Sequence, residues 1–341
     1  MPLTIVEQDI TRISADAIVN AANPQLTSGG GVCGAIFAAA GERRMREACE
    51  KIGSCPVGGA VITRGFSLPA RWVIHTVGPV WQGGERGEEA LLRACYRNAL
   101  SLASERRLRS IAFPLISAGI YGYPRDAALA VARSEIGAYL LVHDLDVTLA
   151  LFEGGGALQG ATRFRGIRAM LGADRSAEIS AVLAMRKQAS VSSADMKPEA
   201  AMPFAMPAPT AAQRPPATQT KLEAAAERIG ETFSQRLLRL IDERGFSDPE
   251  VYRRANLDRR LFSKIRGNSG YQPSKNTVLA FAVALRLNLD QAADLLRTAG
   301  YALSPASRFD RIVEYFIQNG TYDIFEINEA LFAFGESLLG A

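Results

Sequence analysis

Three short stretches combine residue types that can do chemistry. DAIVNAAN, over Asp16–Asn23, carries two carboxamides, Asn20 and Asn23, at the end of a β-branched run. An amide side chain both donates and accepts, which suits sugar hydroxyls and a positioned water. SGGGVCGAI, over Ser28–Ile36, places consecutive glycines before a helical pattern. Such a loop lets backbone approach a ligand closely and aims N–H groups at an anion. PLISAGIYGYP, over Pro114–Pro124, is a strand, a glycine-punctuated loop and a helix starting at a proline, a second arrangement able to cradle phosphate. Each signal has an ordinary alternative, a plain turn or a cap. Two cradles and a paired carboxamide within one short stretch suit a ligand that contains a diphosphate.

These loops need rigid elements to hold them. Residues 3–152 alternate β-branched runs (Leu3–Val6, Ala17–Asn20, Gly59–Thr63, Trp72–Val77, Ser110–Pro114, Val147–Phe152) with helical patterns (Val32–Lys51, Glu88–Ser104, Pro124–Leu141). Strands alternating with helices predict an α/β fold, a mostly parallel sheet covered on both faces. In such sheets ligands bind in the loops at the strand ends.

The chain has 341 residues, 48% hydrophobic and 22% charged, with a net charge of +4, enough for two globular domains. Its cysteines, Cys33, Cys49, Cys55 and Cys95, form no CxxC pair, and its histidines are His75 and His143. That pattern predicts no metal site and a reduced, cytoplasmic protein. The N-terminus shows no secretory signal, and the apolar stretch 139–152 is interrupted by His143, Asp144 and Asp146, so no membrane span is expected. His75, inside an apolar strand, reads as a structural histidine, and Cys33 as a small helix residue or a nucleophile needing a positive neighbour.

Along residues 3–152 the sequence resembles the macro domain family. The resemblance is carried by QDIT (8–11), DAIVNAAN (16–23), GGGVCGAI (29–36), VIHTVGP (73–79), CYRNAL (95–100) and FPLISAGIYGYP (113–124), in family order and spacing. It implies a three-layer α/β/α fold that binds ADP-ribose, without a cofactor. It also implies roles. Asp9 would accept a hydrogen bond from the adenine amino group, and Ile10 would belong to the ligand site. Asn20 and Asn23 would belong to the ligand site, with Asn23 at the distal ribose and the main protein contributor to catalysis. The backbone of Gly29, Gly30 and Gly31, followed by Val32 and Cys33, would approach the distal ribose and diphosphate. Ser117, Ala118, Gly119, Ile120 and Tyr121 would wrap the diphosphate. Phe152 would either stack near the adenine or its ribose, or close the core at its strand end. The hydrolase branch usually reads GGGVDGAIH, whereas this chain has Cys33 and Phe37 at the Asp and His positions, and Gln8 where a glycine usually precedes DIT. Some viral members also lack that Asp.

Beyond residue 175 the composition shifts. Residues 176–224 are expected to form a flexible Ala/Pro-rich linker that leaves the two domains free of each other. Residues 225–304 are predicted to be an all-α bundle resembling the helix-turn-helix domains of phage repressors, on VYRRANLDRRLFSKIRGN (251–268) and the helical pattern after it. That resemblance would place Asn256 at the turn, Asp258 as a helix cap, and Arg259, Arg260, Ser263, Lys264 and Arg266 on a recognition helix facing double-stranded DNA. Residues 236–275 hold ten basic against five acidic residues; a solvated face on a protein-binding bundle is the alternative to a phosphate-binding patch. The extension 305–341 carries Phe309, Ile312, Phe316, Phe325, Leu331 and Phe334, which need burial on the bundle or in a homodimer.

The leading reading is a hydrolase that removes mono-ADP-ribose from a modified protein or nucleic acid. The alternative is a non-catalytic sensor of ADP-ribose or a related NAD metabolite, coupled to a DNA-binding regulator.

Overall fold

Inner strands that are apolar on both faces decide the architecture. The computed structural model describes residues 3–151, 164–172 and 230–340. Its first part runs β1 (Leu3–Glu7), a 3-10 turn (Ile10–Arg12), β2 (Ala17–Ala22), α1 (Gly31–Ala40), α2 (Glu42–Ile52), β3 (Ala60–Arg64), β4 (Trp72–Val77), α3 (Glu88–Glu105), β5 (Ser110–Pro114), α4 (Arg125–Leu140) and β6 (Asp146–Leu151). The six strands form one sheet in the order β1-β6-β5-β2-β4-β3. All neighbours pair in parallel except β3 with β4, which pair antiparallel.

Alternate residues of the inner strands face opposite layers. Ile18, Val73, Val77, Ala112 and Ala150 pack with Ile36 and Phe37 of α1 and Met45 and Cys49 of α2. Val19, Ile74, Phe113, Val147 and Leu149 pack with Leu92, Tyr96 and Leu100 of α3 and Leu129 and Ile136 of α4. The result is the expected three-layer α/β/α arrangement. The single helical pattern expected over Val32–Lys51 is two helices instead. Gly41, at φ +94°, turns the chain between them, a conformation that carries little strain only for glycine.

The second part is helical: α5 (Phe233–Arg244), α6 (Asp248–Arg254), α7 (Arg259–Gly267), α8 (Lys275–Ala284), α9 (Leu289–Thr298), α10 (Arg308–Gln318) and α11 (Ile324–Ala333). Local sequence sets these boundaries. Thr232, Ser247 and Asn288 close capping boxes with Gln235, Glu250 and Gln291. Ser274, Ser307, Asp258 and Asp323 accept from N-terminal backbone N–H groups. Val278, Phe281 and Val283 of α8, which is buried from Thr277 onward, form the centre of the core. Ile312, Phe316, Ile327 and Leu331 of the extension join this same core, so burial within one chain accounts for these side chains. Residues 164–172 include a helical stretch whose Phe164 and Ile167 also pack there, Phe164 edge-on to Phe316. The stretch expected to be a linker, 176–224, lies outside the described residues.

The two parts are not free of each other. Asn256, in the turn between α6 and α7 at φ +53°, clasps the outer edge of β1. Its Oδ1 accepts from Leu3 N–H at 2.7 Å and its Nδ2 donates to the Leu3 carbonyl at 3.0 Å. Arg133 of α4 meets Asp323 (3.3 Å), Glu326 (3.6 Å) and Glu329 (3.6 Å) of α11. Arg253 reaches Asp144 and the Leu141 carbonyl, each at 3.3 Å. Phe325 packs against Gly137, where a Cβ would lie 2.9 Å from its ring. No helix among the described residues is long and apolar enough to cross a membrane.

Candidate functional site

A cavity of about 350 Å³ opens at the carboxyl ends of four adjacent strands, β6, β5, β2 and β4. Each strand contributes its own loop or end. From β2 come Ala21, Ala22 and Asn23, and after them Gly29–Gly31, Val32 and Cys33. Gly78 follows β4; Leu115 and Ser117–Tyr121 follow β5; Ala150 and Leu151 end β6; Arg125 opens α4. A crevice in this position is where parallel sheets place ligands, because loops diverge there and helices begin there.

Glycine and one unusual serine shape the walls. A Cβ on Gly34 would overlap the Gly29 carbonyl oxygen, so α1 can seat against the glycine loop only without a side chain there. Gly78 makes room for Ser117, whose Oγ a Cβ would strike. Ser117 itself sits at φ +64°, its Oγ buried without a hydrogen-bond partner among the described residues. Such a left-handed serine costs on the order of 1 kcal/mol, held by the surrounding packing. Ile120 is 77% exposed, and its Cδ1 lies 2.9 Å from where a Gly30 Cβ would be, so it bridges the two loops over the cavity.

The electrostatics favour an anion. The N-termini of α1 and α4 both open at the cavity, through Gly31 and Arg125, each presenting unpaired N–H groups. Among the described residues the lining contains no Asp or Glu, and Arg125 is its one charged side chain.

Asn23 is held in place by its own loop. Its Oδ1 accepts from Thr27 N–H (3.1 Å) and Thr27 Oγ1 (3.2 Å), while its Nδ2 donates to the Thr27 carbonyl (2.9 Å). One Nδ2 hydrogen is left to donate to a ligand. Cys33 lines the same region, its Sγ 3.6 Å from the Thr27 carbonyl.

Asn20 does not line the cavity. It is fully buried behind it, its Nδ2 3.0 Å from His75 Nδ1 and 3.6 Å from Cys33 Sγ. With Nδ1 accepting, His75 carries its hydrogen on Nε2 and donates it to Thr63 Oγ1 at 2.8 Å; Thr63 then donates to Met45 Sδ at 3.4 Å. Burial pushes the His75 pKa down to about 4, so the ring is neutral at pH 7. His75 is thus the satisfied structural histidine expected, and Asn20 belongs to its network. Burial also raises the Cys49 and Cys95 thiols to about 11, which keeps both protonated. All four cysteines are free and buried, and the described residues contain no cluster of metal-ligating side chains.

Asp9 and Ile10 also lie outside the lining. Asp9 caps the 3-10 turn, accepting from Thr11 N–H (2.9 Å) and Thr11 Oγ1 (2.8 Å), and Ile10 is buried in the core. Phe152 falls outside the described residues. Gly78, Leu115, Arg125, Ala150 and Leu151 were not singled out in the sequence. Gly78, directly after the VIHTV strand, and Leu115, within PLISAGIYGYP, lie in motifs legible in the sequence; Arg125, Ala150 and Leu151 join the site through tertiary placement.

Residues 19–132 match the macro domain family. A macro domain-containing protein of Methanosarcina mazei is 49% identical over 149 residues, which span 44% of this chain and 79% of that protein. The chain belongs to the macro domain family. The Escherichia coli O-acetyl-ADP-ribose deacetylase is 50% identical over 145 residues, 41% of this chain and 81% of that protein. Among solved structures, the Oceanobacillus iheyensis macrodomain with ADP shares 45% identity across 44% of this chain and 83% of its own, with a TM-score of 0.43. The macro domain match carries the loops after β2, β4 and β5, while α5–α11 lie outside it.

Proposed function

We propose that the macro domain cavity binds ADP-ribose and that the chain hydrolyses a bond to its distal ribose. The observation that carries this reading is the pairing of two glycine-bearing loops with two helix N-termini around one cavity, whose described lining residues include no acid. In this reading Gly29–Gly31 and Ser117–Tyr121 embrace the diphosphate, Asn23 donates to the distal ribose or to a held water, and the adenine extends towards Asp9 and Ile10. The relative from Escherichia coli, named for removing an acetyl group from ADP-ribose, supports a hydrolytic reaction. The bond cleaved is the glycosidic link of a mono-ADP-ribosylated macromolecule or an acyl ester on the ribose.

Among the described residues no carboxylate lines the cavity to serve as general base. Glycosidic cleavage therefore rests on positioning, with an oxocarbenium-like transition state and the substrate's own phosphate accepting the proton from water. The test is a time course of product release from a mono-ADP-ribosylated protein and from O-acetyl-ADP-ribose, with wild type, Asn23→Ala and Cys33→Asp. Wild type should turn over at least one substrate, and Asn23→Ala should slow it by on the order of a hundredfold, the scale of a misplaced reactant. Binding of ADP-ribose with no turnover of either would overturn the hydrolase and leave a sensor.

A second reading concerns α7. Arg259, Arg260, Ser263 and Lys264 are exposed there, and Arg266 pairs with Asp248, so a phosphate backbone could be met by this face. A helix-turn-helix docks its second helix by the N-terminal end. Here the preceding turn holds Asn256 buried against β1, which restricts that approach. Anisotropy of a labelled duplex tests this reading: affinity that falls steeply with salt supports it, and no binding at low salt removes it.

A further inference from the structure

We infer that Arg125 is a phosphate-binding and specificity-determining residue of the cavity, an inference that rests on the reading of the cavity as an ADP-ribose site. Arg125 is the first residue of α4 and, among the described residues, the only charged side chain in the lining. Its Nε is buried, and among the described residues it has no hydrogen-bond partner. Its guanidinium forms no ion pair with any described residue, whereas its helix neighbour Arg133 meets three carboxylates.

A guanidinium whose Nε is withdrawn from water and unpaired is costly, because desolvation is not offset by a partner. The arrangement becomes favourable once an anion enters. Phosphate oxygens match the planar fork of arginine, and two donors can bind them side by side. The α4 N-terminus adds its free N–H groups to the same place, and among the described residues no carboxylate in the lining competes for the charge. The Ser117–Tyr121 loop, which lines the same cavity, ends only a few residues before Arg125. Arg133 and Gly137, two and three turns further along, fix α4 against α11, so the helix that carries Arg125 is anchored away from the ligand. Arg125 therefore selects ligands that carry phosphate over neutral nucleosides, beyond what the backbone loops provide.

The test uses the full chain, with wild type, Arg125→Gln and Arg125→Lys titrated calorimetrically with ADP-ribose and with adenosine, at low and moderate salt. Arg125→Gln should weaken ADP-ribose by roughly tenfold or more, the scale of a charge-assisted hydrogen bond. It should flatten the salt dependence and leave adenosine unchanged, and Arg125→Lys should recover part of the loss. Thermal melts should be unaltered, since the guanidinium supports no other residue. ADP-ribose affinity within twofold of wild type in Arg125→Gln would overturn the inference. So would equal loss for ADP-ribose and adenosine, which would mean that the side chain packs on the nucleoside. A wild type that binds no ADP-ribose fails at the earlier step and removes the site reading together with this one.

Discussion

Gly34 and His75 show how much a single residue controls around this site. Gly34 has space for a hydrogen where a methyl group would overlap the Gly29 carbonyl oxygen. Because that neighbour is backbone, it cannot swing away, and overpacking of this kind costs about 1–3 kcal/mol. Gly34→Ala should lower the urea midpoint accordingly and displace the glycine loop, with a loss of ligand affinity larger than the stability loss alone explains. His75 makes a different prediction. Its folded pKa of about 4 lies below the ordinary value of 6.5. Above 6.5 both states are neutral and the full stability is present. Between 6.5 and 4 the unfolded chain takes up a proton that the native one refuses, so stability falls by up to roughly 3 kcal/mol through this window. Chemical denaturation across pH 4–7 should show that decline, and His75→Gln should flatten it. A variant with the same slope as wild type would assign the decline to other groups.

At the scale of elements, β1 is an edge strand that among the described residues pairs with β6 alone, and Asn256 closes its outer edge at Leu3. Asn256 satisfies both the N–H and the carbonyl of Leu3, as a neighbouring strand would. Asn256→Ala would leave two buried backbone groups unpaired and a non-glycine residue at positive φ, costing about 2–4 kcal/mol in all. Asn256→Gly removes the same hydrogen bonds but tolerates the φ, so it should recover about 1 kcal/mol relative to alanine. If both variants match wild type in denaturant melts, the clasp contributes nothing. Hydrogen exchange at the β1 amides should rise in both, which separates loss of the clasp from general destabilisation.

For the whole molecule, the cavity and the helical unit share supports. α4 begins at the cavity with Arg125 and carries Arg133 and Gly137 under α11. β6 ends at the cavity with Leu151 and pairs with the strand that Asn256 holds. The helical residues are therefore part of the framework behind the ligand loops, despite the long intervening stretch of sequence.

Much of this was legible in the chain itself. Strand boundaries at Trp72–Val77 and Ser110–Pro114 follow from short apolar, β-branched runs between turn residues, because such a run is a local property. The glycine loops and Asn23 were legible for the same reason: each motif is short, contiguous and sits at a strand end. What sequence could not decide were groups united only by packing. Asn20 and Asn23 are three residues apart on a strand ending at the site, yet one turns into the buried His75 network and the other faces the cavity. Arg125 reads as one surface arginine among many until the sheet brings β2, β5 and β6 together around it. Asn256 reads as a turn residue, since a residue tolerant of positive φ is needed there; only the folded chain shows its amide 253 positions away from its partner, Leu3. Local propensity and hydrophobic period determined the elements, while long-range steric fit and hydrogen-bond satisfaction decided which faces meet and which charge was left unpaired.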